Sequence, residues 1–198
     1  MLKSLVGKVG IVLALLIGSV SVAHAQYPPP YGPPPGYYGP RGVYRNGLVI
    51  GFGAGIGGIS ASDCGDVCGV VGSGEFHIGG MLNPRLALVA DFWANLRNSA
   101  SIDATVWNGI YTGALQYWLT DMFWLKGGMG LGHMQLTDNA SSVAFGDEWG
   151  FALMGAGGVE VMQSPNFALD LQARLGHGFF SQGGDVNSFA FMVGLNWY

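Results

Sequence analysis

Between residues 47 and 198 the chain alternates large apolar side chains with small or polar ones, in eight separate runs. The last run, Ser188 to Tyr198, shows the pattern plainly. Phe189, Phe191, Val193, Leu195 and Trp197 fall on one face, and Ala190, Met192, Gly194, Asn196 and Tyr198 on the other. A period of two is the signature of a β-strand, because successive side chains point to opposite faces. The runs cover residues 47–57, 70–81, 85–97, 104–119, 123–135, 148–162, 167–178 and 188–198. Asn83-Pro84, Thr120-Asp121 and Ser164-Pro165-Asn166 read as tight turns. Polar stretches at 60–69, 98–103, 136–147 and 179–187 read as longer loops, so the connections alternate long and tight.

The two faces differ in charge. The face with Leu, Phe and Val carries no Asp, Glu, Lys or Arg inside any run, whereas the opposite face holds Glu75, Asp91, Arg97, Lys126, Glu160, Asp170 and Arg174. A soluble barrel would place its charges outside. Lys or Arg on a lipid-facing strand position at mid-depth costs about 2–4 kcal/mol, so the uncharged face is the one predicted to touch hydrocarbon. Charged residues make up only 10% of the chain against 49% hydrophobic, where soluble domains carry roughly 25% charged. After residue 26 no unbroken apolar stretch approaches the ~18 residues that a membrane helix needs. A greasy chain of this kind satisfies its backbone in lipid by closing a sheet on itself. The predicted fold is therefore all-β: a closed, eight-stranded, antiparallel, up-and-down transmembrane barrel spanning residues 43–198.

Two segments precede it. Residues 1–25 read as a signal peptide, with basic Lys3 and Lys8, an apolar run from Ile11 to Val22, and a small-x-small site at Ala23-His24-Ala25. Residues 26–42, QYPPPYGPPPGYYGPRG, are rich in Pro, Gly and Tyr and predict an extended tail. It reads either as a spacer or as a ligand for a periplasmic partner or cell-wall polymer. Without Lys3 and Lys8 the chain keeps six basic residues against twelve acidic, a net charge of −6. That balance disfavours nucleic acid. Cys64 and Cys68 are the two cysteines; export permits a disulfide between them, and without nearby histidines they make a poor zinc site.

The charges predicted to line the bore need partners. The spacing predicts two clusters, Arg174 with Glu75 or Asp91, and Lys126 with Glu160 or Asp170. They read as a salt-bridged plug, or alternatively as a polar path that prefers cations. His77 lies two residues from Glu75, with Ser73 on the same face, and reads as a hydrogen-bonded bore residue rather than a catalytic one. His133 and His177 are predicted outward near the long-loop rim. Aromatic residues gather by the tight turns (Tyr117, Trp118, Phe123, Trp124, Phe167, Trp197, Tyr198) and by the long loops (Trp107, Trp149, Phe179, Phe180). They predict two interfacial belts. No catalytic residue, metal site or cofactor is expected.

In its signal peptide, hairpin rhythm, turns such as Asn83-Pro84-Arg85 and final strand ending in an aromatic residue, the chain resembles the small eight-stranded outer-membrane barrels, the OmpA-like transmembrane domain family. The resemblance covers about Val43 to Tyr198. It implies residence in the bacterial outer membrane, contact with its lipids and lipopolysaccharide, and recognition of the C-terminal strand by the barrel-assembly machinery. Trp197 is in phase with the apolar face and Tyr198 is one residue beyond it. No periplasmic domain is expected after the barrel. The implied role is structural or surface-interactive. A narrow channel similar to OmpW-type barrels is the alternative, and a lipid-modifying enzyme a third reading. The H-x-S pair of lipid A deacylases is absent.

Overall fold

The computed structural model describes residues 43, 45–61, 68–99, 103–138, 144–181 and 184–198, with only the backbone of residues 144 and 145. The signal peptide and the whole of the tail at 26–42 lie outside the described residues, as does Cys64. The strands are β1 (Leu48–Ala61), β2 (Gly69–Asn83), β3 (Leu86–Ser99), β4 (Ala104–Trp118), β5 (Phe123–Asp138), β6 (Ala144–Ser164), β7 (Phe167–Phe180) and β8 (Gly184–Trp197). Each pairs antiparallel with its sequence neighbours, and β1 pairs with β8, which closes the barrel. Closure leaves no unpaired edge, the condition for a sheet to sit in hydrocarbon.

The strands run further than the hydrophobic alternation. β6 extends over 21 residues, and β5 continues to Asp138. Thr105 pairs with Thr137, and Gln135 with Asp147. Much of what the composition marks as loop at 136–147 and 179–187 is thus strand. A ladder needs only backbone donors and acceptors, so it continues past the apolar band into sequence where alternation no longer shows.

The outer wall is apolar. Ile56, Leu125, Met129, Leu175, Phe191 and their row neighbours are exposed. No Asp, Glu, Lys or Arg stands between them at mid-strand. The belts are thinner than the composition suggests. Trp118 and Trp124 are 0% and 2% exposed and turn into the bore, in phase with Gln116 and Lys126. Phe180 also turns inward, while Trp107, Trp149, Phe167 and Trp197 stay on the outer wall.

Glycine sets how closely the strands can coil. A Cβ on Gly55 would collide with the Phe191 carbonyl and one on Gly130 with the Tyr111 carbonyl, both on the neighbouring strand. Those carbonyls cannot retreat without breaking the ladder. Gly55→Ala is expected to cost at least the ~1–3 kcal/mol typical of overpacking, and Phe191→Arg about 2–4 kcal/mol. Urea unfolding in liposomes checks both. A Phe191→Arg barrel as stable as the parent would deny lipid contact to that face.

Candidate functional site

The bore is filled by side chains in layers, as in other small barrels. At its centre lies a network of five ionisable residues. The Arg174 guanidinium pairs with Glu75 (Nη1 to Oε2, 2.9 Å) and with Asp91 through Nη2. Lys126 Nζ donates to the other Asp91 oxygen at 2.9 Å and lies 3.3 Å from His77 Nδ1. His77 Nδ1 is 3.0 Å from Glu75 Oε2. All five are almost wholly buried. Trp93 stands beside Arg174, 5.4 Å from guanidinium carbon to ring centroid.

Glycines on the adjoining strand β1 make room for this network, Gly51 paired with His77 and Gly53 with Glu75. A Cβ on Gly51 would enter the His77 ring, and one on Gly53 would lie 2.9 Å from Glu75 Cγ. The runs of alternate glycine in β1 therefore serve the opposite side chains, which lie flat against bare backbone.

Toward the long-loop end the chemistry turns neutral, then apolar. Trp93 Nε1 donates to Ser73 Oγ, and Ser73 Oγ to Asn95 Oδ1, both at 2.7 Å. Ser188 Oγ donates to Asn108 Oδ1 at 2.9 Å. Ile59, Val71, Phe180 and Val186 then pack as an apolar cluster, with Cys68 and Met134 against it. Toward the short-turn end Asp170 accepts from Trp124 Nε1 (3.0 Å) and Asn196 Nδ2 (2.9 Å). Glu160 accepts from Trp118 Nε1 and the Tyr198 hydroxyl, each at 2.8 Å. Burial beside the Glu160 carboxylate holds the Tyr198 hydroxyl well above the usual phenol range, so it remains a donor.

The structure thus brings Glu75, His77, Asp91, Lys126 and Arg174 together. It separates the pair expected from Lys126 with Glu160 or Asp170: Lys126 reaches Asp91 instead. Counting residues from a turn does not measure depth in a barrel whose strands tilt and whose register is staggered. Arg97 also stands apart, half-buried near the loop end of β3, with its guanidinium against Gly69. The partner of Glu160 is Arg45, a residue before β1 that the alternation does not mark (Nη2 to Oε2, 2.7 Å). Its sequence signal is no more than a cation just ahead of an apolar strand.

Two chemical readings of the centre can be weighed. Ser73 is committed to Asn95 and Trp93, so Ser73, His77 and Glu75 do not form a nucleophile–base–acid relay. Donor atoms of Glu75, His77 and Asp91 lie within 4.8 Å of one another, but Lys126 and Arg174 already neutralise those carboxylates from inside. His133 and His177 sit on the outer wall, stacked on Trp149 (4.2 Å) and edge-on to Phe179 (4.3 Å). His133 meets Asp147 at 2.8 Å, and His177 meets Asn187 at 2.8 Å.

A closed eight-stranded barrel, greasy outside and charged within, is the architecture of the small outer-membrane barrels. Comparison with solved structures agrees at the level of fold. Neisserial surface protein A matches with a TM-score of 0.63 at 16% identity, covering 76% of this chain and 96% of its own. Ail, the attachment invasion locus protein of Yersinia pestis, matches at 0.55 and 14% identity, covering 77% and 98%. Ail in complex with the heparin analogue sucrose octasulfate matches at 0.56 and 15% identity, with the same coverage. No family model and no curated protein matches the sequence.

Removing Arg174 alone leaves Glu75 and half of Asp91 unpaired in a buried site, where breaking an ion pair costs about 3–5 kcal/mol. Arg174→Met should lower unfolding stability by that order. Combining Arg174→Met with Glu75→Leu should recover part of the loss, because both halves of the pair are then apolar. A double-mutant cycle by urea unfolding measures the coupling, and a coupling near zero would dissolve the network.

Proposed function

We propose that this protein is a non-enzymatic integral outer-membrane barrel whose bore is sealed and whose work is done on its surface. The observation that carries the reading is the filled bore. Trp93, Trp118, Arg174, Ile110 and His77 are among its largest fully buried side chains. An apolar cluster lies at the long-loop end, and Glu160 with its donors at the other. A depression of about 730 Å³, walled by Ile56, Leu125 and Phe191, opens on the outer wall rather than into the bore.

The surface role rests on the long-loop end. Asp103, Asp138, Asp147, Glu148 and Asp185 lie there, against Arg97 among the described residues. One of the compared structures holds a heparin analogue. A polyanion of that kind is a poor electrostatic match for this rim, so its partners are cationic or neutral, or reach it through divalent cations bridging lipopolysaccharide phosphates. The barrel-assembly machinery would read β8 through Trp197, which faces outward. The tail at residues 26–42 would reach a periplasmic partner, and a Cys64–Cys68 disulfide would stiffen the first loop.

A narrow OmpW-like channel is the second reading. It is favoured by the excess of carboxylate in the bore: Glu75, Asp91, Glu160 and Asp170 against Arg45, Lys126 and Arg174. Among the described residues Asp170 has no salt-bridge partner, and its Oδ1 has no hydrogen bond. Planar-bilayer recording separates the two readings. The expected result is no steady open current from the parent protein. A sustained, cation-selective current would replace the sealed barrel with the channel.

A further inference from the structure

Glu160 sits at the short-turn mouth of the bore, where β6 bulges between Glu160 and Met162. Its carboxylate is fully buried and faces two aromatic rings, Trp118 and Tyr198, which meet edge-on at 5.8 Å. Into that corner goes the guanidinium of Arg45. Its carbon lies 4.8 Å from the Trp118 ring centroid and 5.6 Å from that of Tyr198. Nη2 donates to Glu160 Oε2 and to the Asp121 carbonyl, each at 2.7 Å. Gln163 Nε2 bonds the same two acceptors at 2.7 and 2.6 Å.

A carboxylate, a carbonyl and two π-faces converge here on one planar cation. Each recognises a guanidinium by a separate interaction: ion pairing, hydrogen bonding and cation–π attraction. Apart from Tyr198, which directly follows β8, these groups belong to the strands or their turns. The cation alone comes from outside the barrel, on the short approach to β1. Gly47, at φ +81°, turns that approach into the first strand, and its carbonyl accepts from Met81 N–H at 2.8 Å. The occupant is therefore attached by a few residues of chain and held by no strand ladder of its own.

We infer that Glu160, Trp118, Tyr198 and the Asp121 carbonyl form a guanidinium-binding site at the short-turn mouth, which Arg45 fills as a built-in ligand. The ligand class is a guanidinium, such as an arginine side chain on another chain reaching the mouth from that side. When Arg45 occupies the site it ties the approach to β1 against the last residue of β8's extension, and so latches the mouth across the closing seam. When Arg45 leaves, a buried carboxylate is uncovered and a second guanidinium can take its place.

The test is chemical rescue of Arg45→Ala in detergent. The variant should melt below the parent, and millimolar methylguanidinium should restore at least half of the lost shift. Methylammonium and sodium chloride at the same concentration should not. The double variant Arg45→Ala, Glu160→Gln should gain nothing from methylguanidinium. An Arg45→Ala protein that melts with the parent overturns the site, as does rescue that sodium chloride or methylammonium matches, or that survives loss of the Glu160 charge. Should Arg45→Ala fail to refold, refolding yield becomes the readout. Yield restored by methylguanidinium alone supports the site, and yield it does not restore overturns it.

Discussion

Arg174 holds the bore together. Its guanidinium spans two carboxylates on two neighbouring strands, Glu75 on β2 and Asp91 on β3, from across the barrel on β7. A Lys at that position could not bridge them in the same way, because an ammonium lacks the planar fork. The remaining oxygen of Asp91 is then fixed toward Lys126, and the remaining oxygen of Glu75 toward Gln172 at 3.1 Å. With those five side chains committed, His77 has little choice of place. The network therefore ties β2, β3, β5 and β7 together through the centre, in addition to the ladders that join neighbours around the wall.

Such a centre is affordable only because the wall gives way to it. Bare glycine on β1 and β8 lets His77, Glu75 and Asp170 lie against backbone, and removes side chains that would compete for the volume. The cost of glycine in a strand is conformational entropy, offset here by a closed ladder and by lipid contact around the whole circumference. Outer wall and inner filling are thus complementary. Large side chains face hydrocarbon, small ones admit the ionic core, and each mutation that confuses the two is destabilising for a different reason.

The segments flanking the first and last strands meet at one mouth. Arg45 comes in before β1 and Tyr198 follows β8, and Glu160 from β6 receives both. Tyr198 therefore acts inside the bore, while Trp197 keeps the outward aromatic position at the end of β8. A terminal pair of aromatics with opposite orientations can serve the outer wall and the mouth at once. This end of the barrel holds a mixture of charge and aromatic packing, and the opposite end an apolar cluster.

Period-two alternation, with charge confined to one phase, determined the strand number, the closure and the orientation of each face before any coordinates. It assigned Glu75, His77, Asp91, Lys126, Glu160, Asp170 and Arg174 to the inward phase, since orientation along a strand is a local property, and in the structure these side chains are buried. Trp118 and Trp124 read as belt residues from their place beside a turn, but their phase, shared with Gln116 and Lys126, turns them into the bore. Which charge meets which was not local. Lys126 finds Asp91 rather than Glu160 because stagger and tilt set depth, and those arise only when the sheet closes. Arg45 was invisible for a related reason: it belongs to no strand, and its pocket is assembled from β4, β6, the turn between β4 and β5, and Tyr198. Sequence pattern settles which side of the wall a residue occupies, whereas the closed tertiary structure alone decides who its neighbour is.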